Sequence, residues 1–186
     1  MSSRLILVSH AETAAVRAAA FPRDESLDDA GRREAAALAG SLGMFSAVWV
    51  SPAKRAVETA AALGFEAKPD TELRDLDVGR WAGQSFADVE AGEPEAMVQW
   101  LRDPNASPHG GETIEALRAR VSRWLSAPER QSGRTIAFTH PAVIRAAVVV
   151  AIDAGTQSFW RIDIAPLTIV DLRSHGGRWT LRSIKT

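Results

Sequence analysis

The stretch Leu5-Ile6-Leu7-Val8-Ser9-His10-Ala11-Glu12-Thr13 is an apolar run that halts at Ser-His and then turns polar. Such a run reads as a buried β-strand whose end carries a histidine to the rim of a sheet. In α/β folds the rim at the carboxyl ends of parallel strands is where ligands sit. A strand-end histidine alone is more often a packing residue than a reagent. The weight given to His10 therefore depends on what else the chain brings to the same rim.

A later stretch ends the same way. Residues 134–139 read as a strand that stops at His140, and Pro141 then opens an apolar helix reaching residue 152. Between the two histidines, residues 14–20 suggest a short helix. Asp28 reads as the N-cap of another, with Ala35, Leu38, Ala39 and Leu42 at helical spacing and Gly43 closing it. Residues 47–50 form a strand, and Ser51-Pro52 reads as an N-cap and first turn of a helix that ends near Leu63. Residues 66–68 suit a short strand, and residues 71–83 a charged but ordered loop. Helices follow over 86–90, 93–102 and 112–125, the last after the turn Pro108-His109-Gly110-Gly111. Strands are expected over 160–164, 167–173 and 178–184, the last two joined as a hairpin through His175-Gly176-Gly177. This alternation predicts an α/β three-layer sandwich: a mostly parallel central sheet flanked by helices, with meander strands at one edge.

Composition narrows the function classes. The chain has 186 residues, 46% hydrophobic and 24% charged, which suits one globular domain over 1–186. A net charge of −1 with scattered Lys and Arg argues against a nucleic-acid surface. There are no cysteines, so disulfides and thiolate metal sites are excluded. No apolar run approaches the roughly 18 residues of a membrane span, and no signal-peptide layout is visible, so the expected location is cytoplasmic.

If the fold is as predicted, His10 and His140 share one rim. Arg55 lies one turn inside the helix after the second strand and faces the same way, and Asp75 sits in the charged loop. Two imidazoles, a guanidinium and a carboxyl suit an anionic substrate and an acid-assisted displacement.

These residues, at these spacings, resemble the histidine phosphatase superfamily, in its phosphoglycerate-mutase-like branch. The family opens with a strand and Arg-His-Gly-Glu-Thr, matched by Ser9 through Thr13. Its Ser-Pro helix with Arg and Thr-Ala is matched by Ser51, Pro52, Arg55, Thr59 and Ala60. Leu73, Asp75, Gly79 and Gly83 fit its acid loop, and Gly110 through Thr113 fit its Gly-Gly-Glu-Ser/Thr turn. His140-Pro141 and Ile144-Arg145 fit its last motif. Carried over, the resemblance makes His10 the nucleophile that becomes phosphohistidine and His140 a donor to the phosphoryl oxygens. It makes Arg55 a planar clamp on the same oxygens, and Asp75 the acid that protonates the leaving oxygen. It implies a small phosphorylated substrate or inorganic phosphate as ligand, with no metal and no cofactor. Neither the substrate nor the oligomeric state is legible.

Four departures fall at the site itself. Ser9 stands where the family has an arginine; losing one charged donor to an oxyanion costs about 3–4 kcal/mol of barrier. Arg17, from the following segment, is the substitute cation that the sequence offers. Asp75 is one methylene shorter than the family's glutamate. Pro141 removes a backbone N–H, and Ala11 replaces a glycine. The leading expectation is a phosphatase acting on a small phosphomonoester. The alternative is a catalytically impaired relative that binds a phosphorylated ligand or a protein partner. His109 is expected at the pocket edge, Trp81 as a pocket wall, His175 as an exposed hairpin residue, and Glu12 and Thr13 as caps supporting His10.

Overall fold

The computed structural model describes residues 2–130 and 132–186. Six strands form one sheet in the order β3-β2-β4-β1-β5-β6. Strands β1 (Ser2–Ser9), β2 (Ala47–Val50), β3 (Lys68–Pro69) and β4 (Arg134–Thr139) run parallel. The hairpin β5 (Ile169–His175) and β6 (Arg178–Lys185) is antiparallel and adds to β1. Helices α1 (Ala14–Arg17), α2 (Asp29–Ala37), α3 (Lys54–Ala62), α4 (Phe86–Gly92), α5 (Pro94–Arg102), α6 (Ile114–Ser126) and α7 (Pro141–Ala151) complete the fold. This is the α/β sandwich with a mostly parallel centre that the sequence predicts.

The period of two along the central strands explains the layers. Leu5 and Leu7 of β1, with Ala137 of β4, face a core shared with α5, α6 and α7. Ile6 and Val8, with Ile136 and Phe138, face the opposite core, shared with α2 and α3. Because β1 and β4 are parallel neighbours paired Ser9 to Thr139, their ends coincide, and His10 N donates to Thr139 O at 2.9 Å. The sheet therefore brings His10 and His140 side by side.

Several expected elements differ in extent. Helix α2 stops at Ala37 rather than Leu42, because Gly40 takes φ +76 and turns the chain while Leu38 and Leu42 still pack on the core. Residues 160–164 are not a strand; a 3-10 turn, Thr156–Arg161, occupies this region. Consecutive Phe159 and Trp160 line the same cavity, which the alternation of a strand forbids. Ser51 does not cap α3: the N-cap is Ala53, and the Ser51 hydroxyl is used elsewhere. The hairpin holds, with His175 exposed at its turn.

Candidate active site

His10 leaves β1 with its side chain 3% exposed. Its Nδ1 lies 2.8 Å from Ala11 O, so that nitrogen carries the hydrogen and donates it. Nε2 then holds the lone pair, and it accepts from Arg55 Nε at 3.3 Å. Burial, reinforced by the Arg55 charge, pushes the His10 imidazole below its ordinary pKa and keeps it neutral. The loop after it is pinned from α3: Ala11 N donates to Thr59 Oγ1 at 3.0 Å, and Thr59 Oγ1 donates to Arg55 O.

Arg55 is 3% exposed and spends its fork on the protein itself. Beyond His10, its Nη1 donates to Arg23 O at 2.7 Å and its Nη2 to Asp75 Oδ2 at 2.7 Å. Glu25 Oε1 stands 3.9 Å from Nη1. Burial opposes the charge on Asp75, yet His140 and Arg55 beside it hold its carboxyl below the usual range. His140 is fully buried, and this desolvation pushes its imidazole down to about 3 despite the nearby Asp75. Its Nδ1 lies 3.3 Å from Asp75 Oδ2, and its Nε2 lies 2.7 Å from Ser51 Oγ. The His10 and His140 rings meet edge to face, 5.4 Å between centroids. So Ser51, read from the sequence as a helix cap, instead orients His140.

The structure thus brings His10, Arg55, Asp75 and His140 together. It does not bring Ser9 and Arg17 into this group. Ser9 is completely buried, its Oγ has no hydrogen-bond partner among the described residues, and it does not line the cavity beside His10. Arg17 is 59% exposed and bonds Asp28 at 2.5 Å and Glu12 at 3.3 Å on the outer surface. Thr13 caps α1, accepting from Val16 N. His109 and Trp81 do not line the cavity. Both are buried behind it, 5.1 Å apart between ring centroids, and Trp100 and Trp160 form the wall instead.

Two supports of the site escaped the sequence reading. Arg120 interrupts the apolar face of α6, and it is 2% exposed. It pairs with Glu112 at 2.7 and 2.9 Å while donating to the carbonyls of Glu72, Arg74 and Asp75, so it staples the Asp75 loop to the body. An arginine among Leu117, Val121 and Trp124 at helical spacing was the available signal. Glu25, close to Arg55, left no pattern at all. The two glycine motifs also clasp each other. A Cβ on Gly79, at φ +49, would lie 2.2 Å from His109 O, and one on Gly111 would lie 2.1 Å from Asp77 O. Arg80 N and Glu112 N close that contact through His109 O and Asp77 O. Among the described residues no group of three His, Asp or Glu side chains is placed to hold a metal ion.

Beside His10 opens a cavity of about 300 Å³. A neutral strand-end imidazole thus stands at a parallel rim with a second imidazole, a guanidinium and a carboxylate around it. The family model described as the histidine phosphatase superfamily (branch 1) matches residues 5–186, and the chain belongs to that superfamily. It is 30% identical over 187 residues to the bifunctional protein Rv2228c of Mycobacterium tuberculosis, covering 94% of this chain and 51% of that protein. The chain thus spans about half the length of that curated relative. It is 26% identical over 168 residues to phosphoserine phosphatase 1 of Hydrogenobacter thermophilus, over 84% of this chain and 80% of that one. The solved mycobacterial glucosyl-3-phosphoglycerate phosphatase in complex with VO3 superposes with a TM-score of 0.84, at 26% identity over 96% of both chains.

Proposed function

We infer that this chain is a metal-independent phosphatase that hydrolyses a small phosphomonoester through a phosphohistidine on His10. The observation that carries this reading is the tautomer of His10: Nδ1–H is committed to Ala11 O, leaving the Nε2 lone pair at the cavity beside Arg55. The relatives named as phosphatases of glucosyl-3-phosphoglycerate and phosphoserine support the reaction class.

In the resting site Arg55 is neutralised by Asp75 and blocks the lone pair it hydrogen-bonds. An incoming phosphoryl group competes for the guanidinium and thereby does two things. It frees His10 Nε2 for attack, and it strips Asp75 of its counter-cation, which raises the pKa of that carboxyl toward use as an acid. The P–Nε2 bond forms as the P–O bond to the alcohol breaks, and protonated Asp75 gives its proton to the leaving oxygen. Water then attacks phosphorus, Asp75 takes its proton, and the P–N bond breaks to release phosphate. Ser51 fixes the His140 ring so that Nδ1–H turns toward Asp75 and the phosphoryl oxygens.

A phosphate-release assay on a generic phosphomonoester tests this. Wild type turns over, His10→Ala falls by about 10⁴-fold or more, and an acid-labile phosphoramidate accumulates in the wild type alone. The second reading, a binder without efficient turnover, is favoured by one observation: Arg55 faces both Asp75 and Glu25, and Ser9 adds no charge. Phosphate binding with turnover no greater than that of His10→Ala establishes this second reading.

A further inference from the structure

The cavity that opens at His10 is apolar on every side except at His10, Asp75 and Arg145. Its walls come from aromatic side chains of separate elements. Phe86 stacks on Phe21 with centroids 4.2 Å apart, and Trp160 meets Trp100 at 4.5 Å. Phe86 is also 42% exposed, so the aromatic wall continues outward to the mouth. No serine, threonine, asparagine or glutamine lines this space, so a polyol bound there regains few of the hydrogen bonds it makes in water.

Arg145 is the exception that specifies the ligand further. It lies on α7 one turn beyond Pro141, on the face that lines the cavity. Its Nε donates to Ile162 O at 2.7 Å, and its guanidinium stands 5.8 and 5.9 Å from the Phe159 and Trp160 rings. Among the described residues no carboxylate comes within ion-pair distance of it, and its Nη groups make no hydrogen bond. Burial outweighs the attraction of Asp163 and Asp75, which act on it from beyond ion-pair distance. A half-buried guanidinium so placed, in an apolar chamber, is a receptor for an anionic group.

We propose that the cavity takes the alcohol part of the ester, and that this alcohol is an aryl-bearing or similarly bulky apolar one carrying a carboxylate for Arg145. This rests on the phosphatase reading, since it assigns the leaving group of that reaction. The phosphoryl group sits at His10 and Arg55, the hydrocarbon body fills the aromatic chamber, and the distal carboxylate meets the Nη groups of Arg145.

Two measurements test it separately from the chemistry. Binding is read by calorimetry with three non-hydrolysable probes: methylphosphonate, 2-phenylethylphosphonate and 4-(2-phosphonoethyl)benzoate. The phenyl group is expected to tighten binding about 10- to 100-fold over methyl. The carboxylate adds about another 5- to 10-fold, which Arg145→Met abolishes while leaving the phenyl gain, and Phe86→Ala weakens the phenyl gain. Equal affinity for all three probes in the wild type overturns the proposal, and so does a carboxylate gain that survives Arg145→Met. Turnover is read with 2-phenylethyl phosphate against glycerol phosphate, both esters of alkyl alcohols. A kcat/KM at least about tenfold higher for the aryl ester supports the proposal. Equal values overturn it while leaving the phosphatase reading intact. Graded probe binding without turnover of either ester overturns the phosphatase reading and leaves the ligand class standing.

Discussion

At the His10 end of the cavity Arg55 commits all three of its nitrogens, to His10, Arg23 and Asp75, and His140 is braced between Ser51 and Asp75. Elsewhere in the lining Arg145 commits one nitrogen to a carbonyl, faces aromatic rings, and feels Asp163 and Asp75 only from beyond ion-pair distance. Both are arginines on helices that follow central strands; Arg145 lines the cavity, and Arg55 meets it through His10 and Asp75. The difference is one of preorganisation. The first end is a closed electrostatic circuit that a ligand must open by exchange, so its chemistry depends on geometry already in place. The second region has no such closed set of partners, and on the proposal made above it is the part that a ligand completes and that selects which molecule reacts.

The sharpest way to break the comparison is to remove the hub of the closed circuit. Arg55→Ala leaves Asp75 and Glu25 facing each other with no cation between them, and His10 without its neighbour. Turnover should fall by about 10³-fold or more, and unfolding free energy by about 3–5 kcal/mol, as for other broken buried pairs. Urea unfolding and phosphate release on the same preparation read both. A loss of turnover without a loss of stability contradicts the closed circuit. The next largest effect belongs to Arg120→Lys. Lysine keeps the charge but cannot span the Glu112 carboxylate and three carbonyls at once. The Asp75 loop then loosens, and kcat should fall about 10- to 100-fold with KM little changed. An equal loss in kcat and a rise in KM would instead assign Arg120 to substrate binding.

How much of this was legible in the sequence follows the same division. The closed end is assembled from residues that directly follow strands or open helices. His10 follows β1, His140 follows β4, and Arg55 lies in the first turn of α3, so parallel pairing alone brings them together. Asp75 was legible through its spacing to Gly79, a glycine that the contact with His109 O explains. Arg17 and Ser9 stand apart from the group for a different reason. Proximity in sequence to His10 suggested proximity in space, but the turn after Thr13 directs Arg17 outward to Asp28, while alternation along β1 turns Ser9 away from His10. The open end carried no readable pattern, because Phe21, Phe86, Trp100 and Trp160 come from four separate segments whose meeting depends on tertiary packing. Trp81 was the wrong tryptophan for the same reason: it lies one layer behind Trp100.

A smaller effect, on stability rather than rate, follows from the depressed imidazoles. In the unfolded chain His140 takes up a proton as the pH falls through about 6.5, whereas in the folded chain it resists until about 3. Between those values the unfolded state binds more protons, so folding stability declines as the solution is acidified. The expected slope from this one residue is about 1.4 kcal/mol per pH unit, and His10 acts in the same direction. Denaturant unfolding at a series of pH values from 7 to 4 measures it. His140→Gln should flatten the dependence by roughly one proton's worth. An unchanged slope would mean that His140 titrates normally in the folded protein and is not sealed in the circuit.

The smallest expected effect is the most direct test of where the circuit ends. Arg17 is the first cation after His10 in the sequence, and a site lacking the family's arginine at Ser9 has an evident need for one. Yet its guanidinium is committed to Asp28 and Glu12, stands largely in solvent, and borders a different surface hollow from the one that His10 lines. Both of its ion pairs are made at the surface by a guanidinium that is itself 59% exposed, where water screens the interaction. Arg17→Ala should therefore change kcat and KM for any phosphomonoester by less than about twofold, and should leave phosphate affinity unaltered at low salt. A tenfold loss of phosphate affinity would instead show that the α1 segment swings inward when an anion binds, trading Asp28 for the ligand. The missing charge at Ser9 would then be supplied by a moving part, and the closed circuit would extend one helix further than the resting geometry draws it.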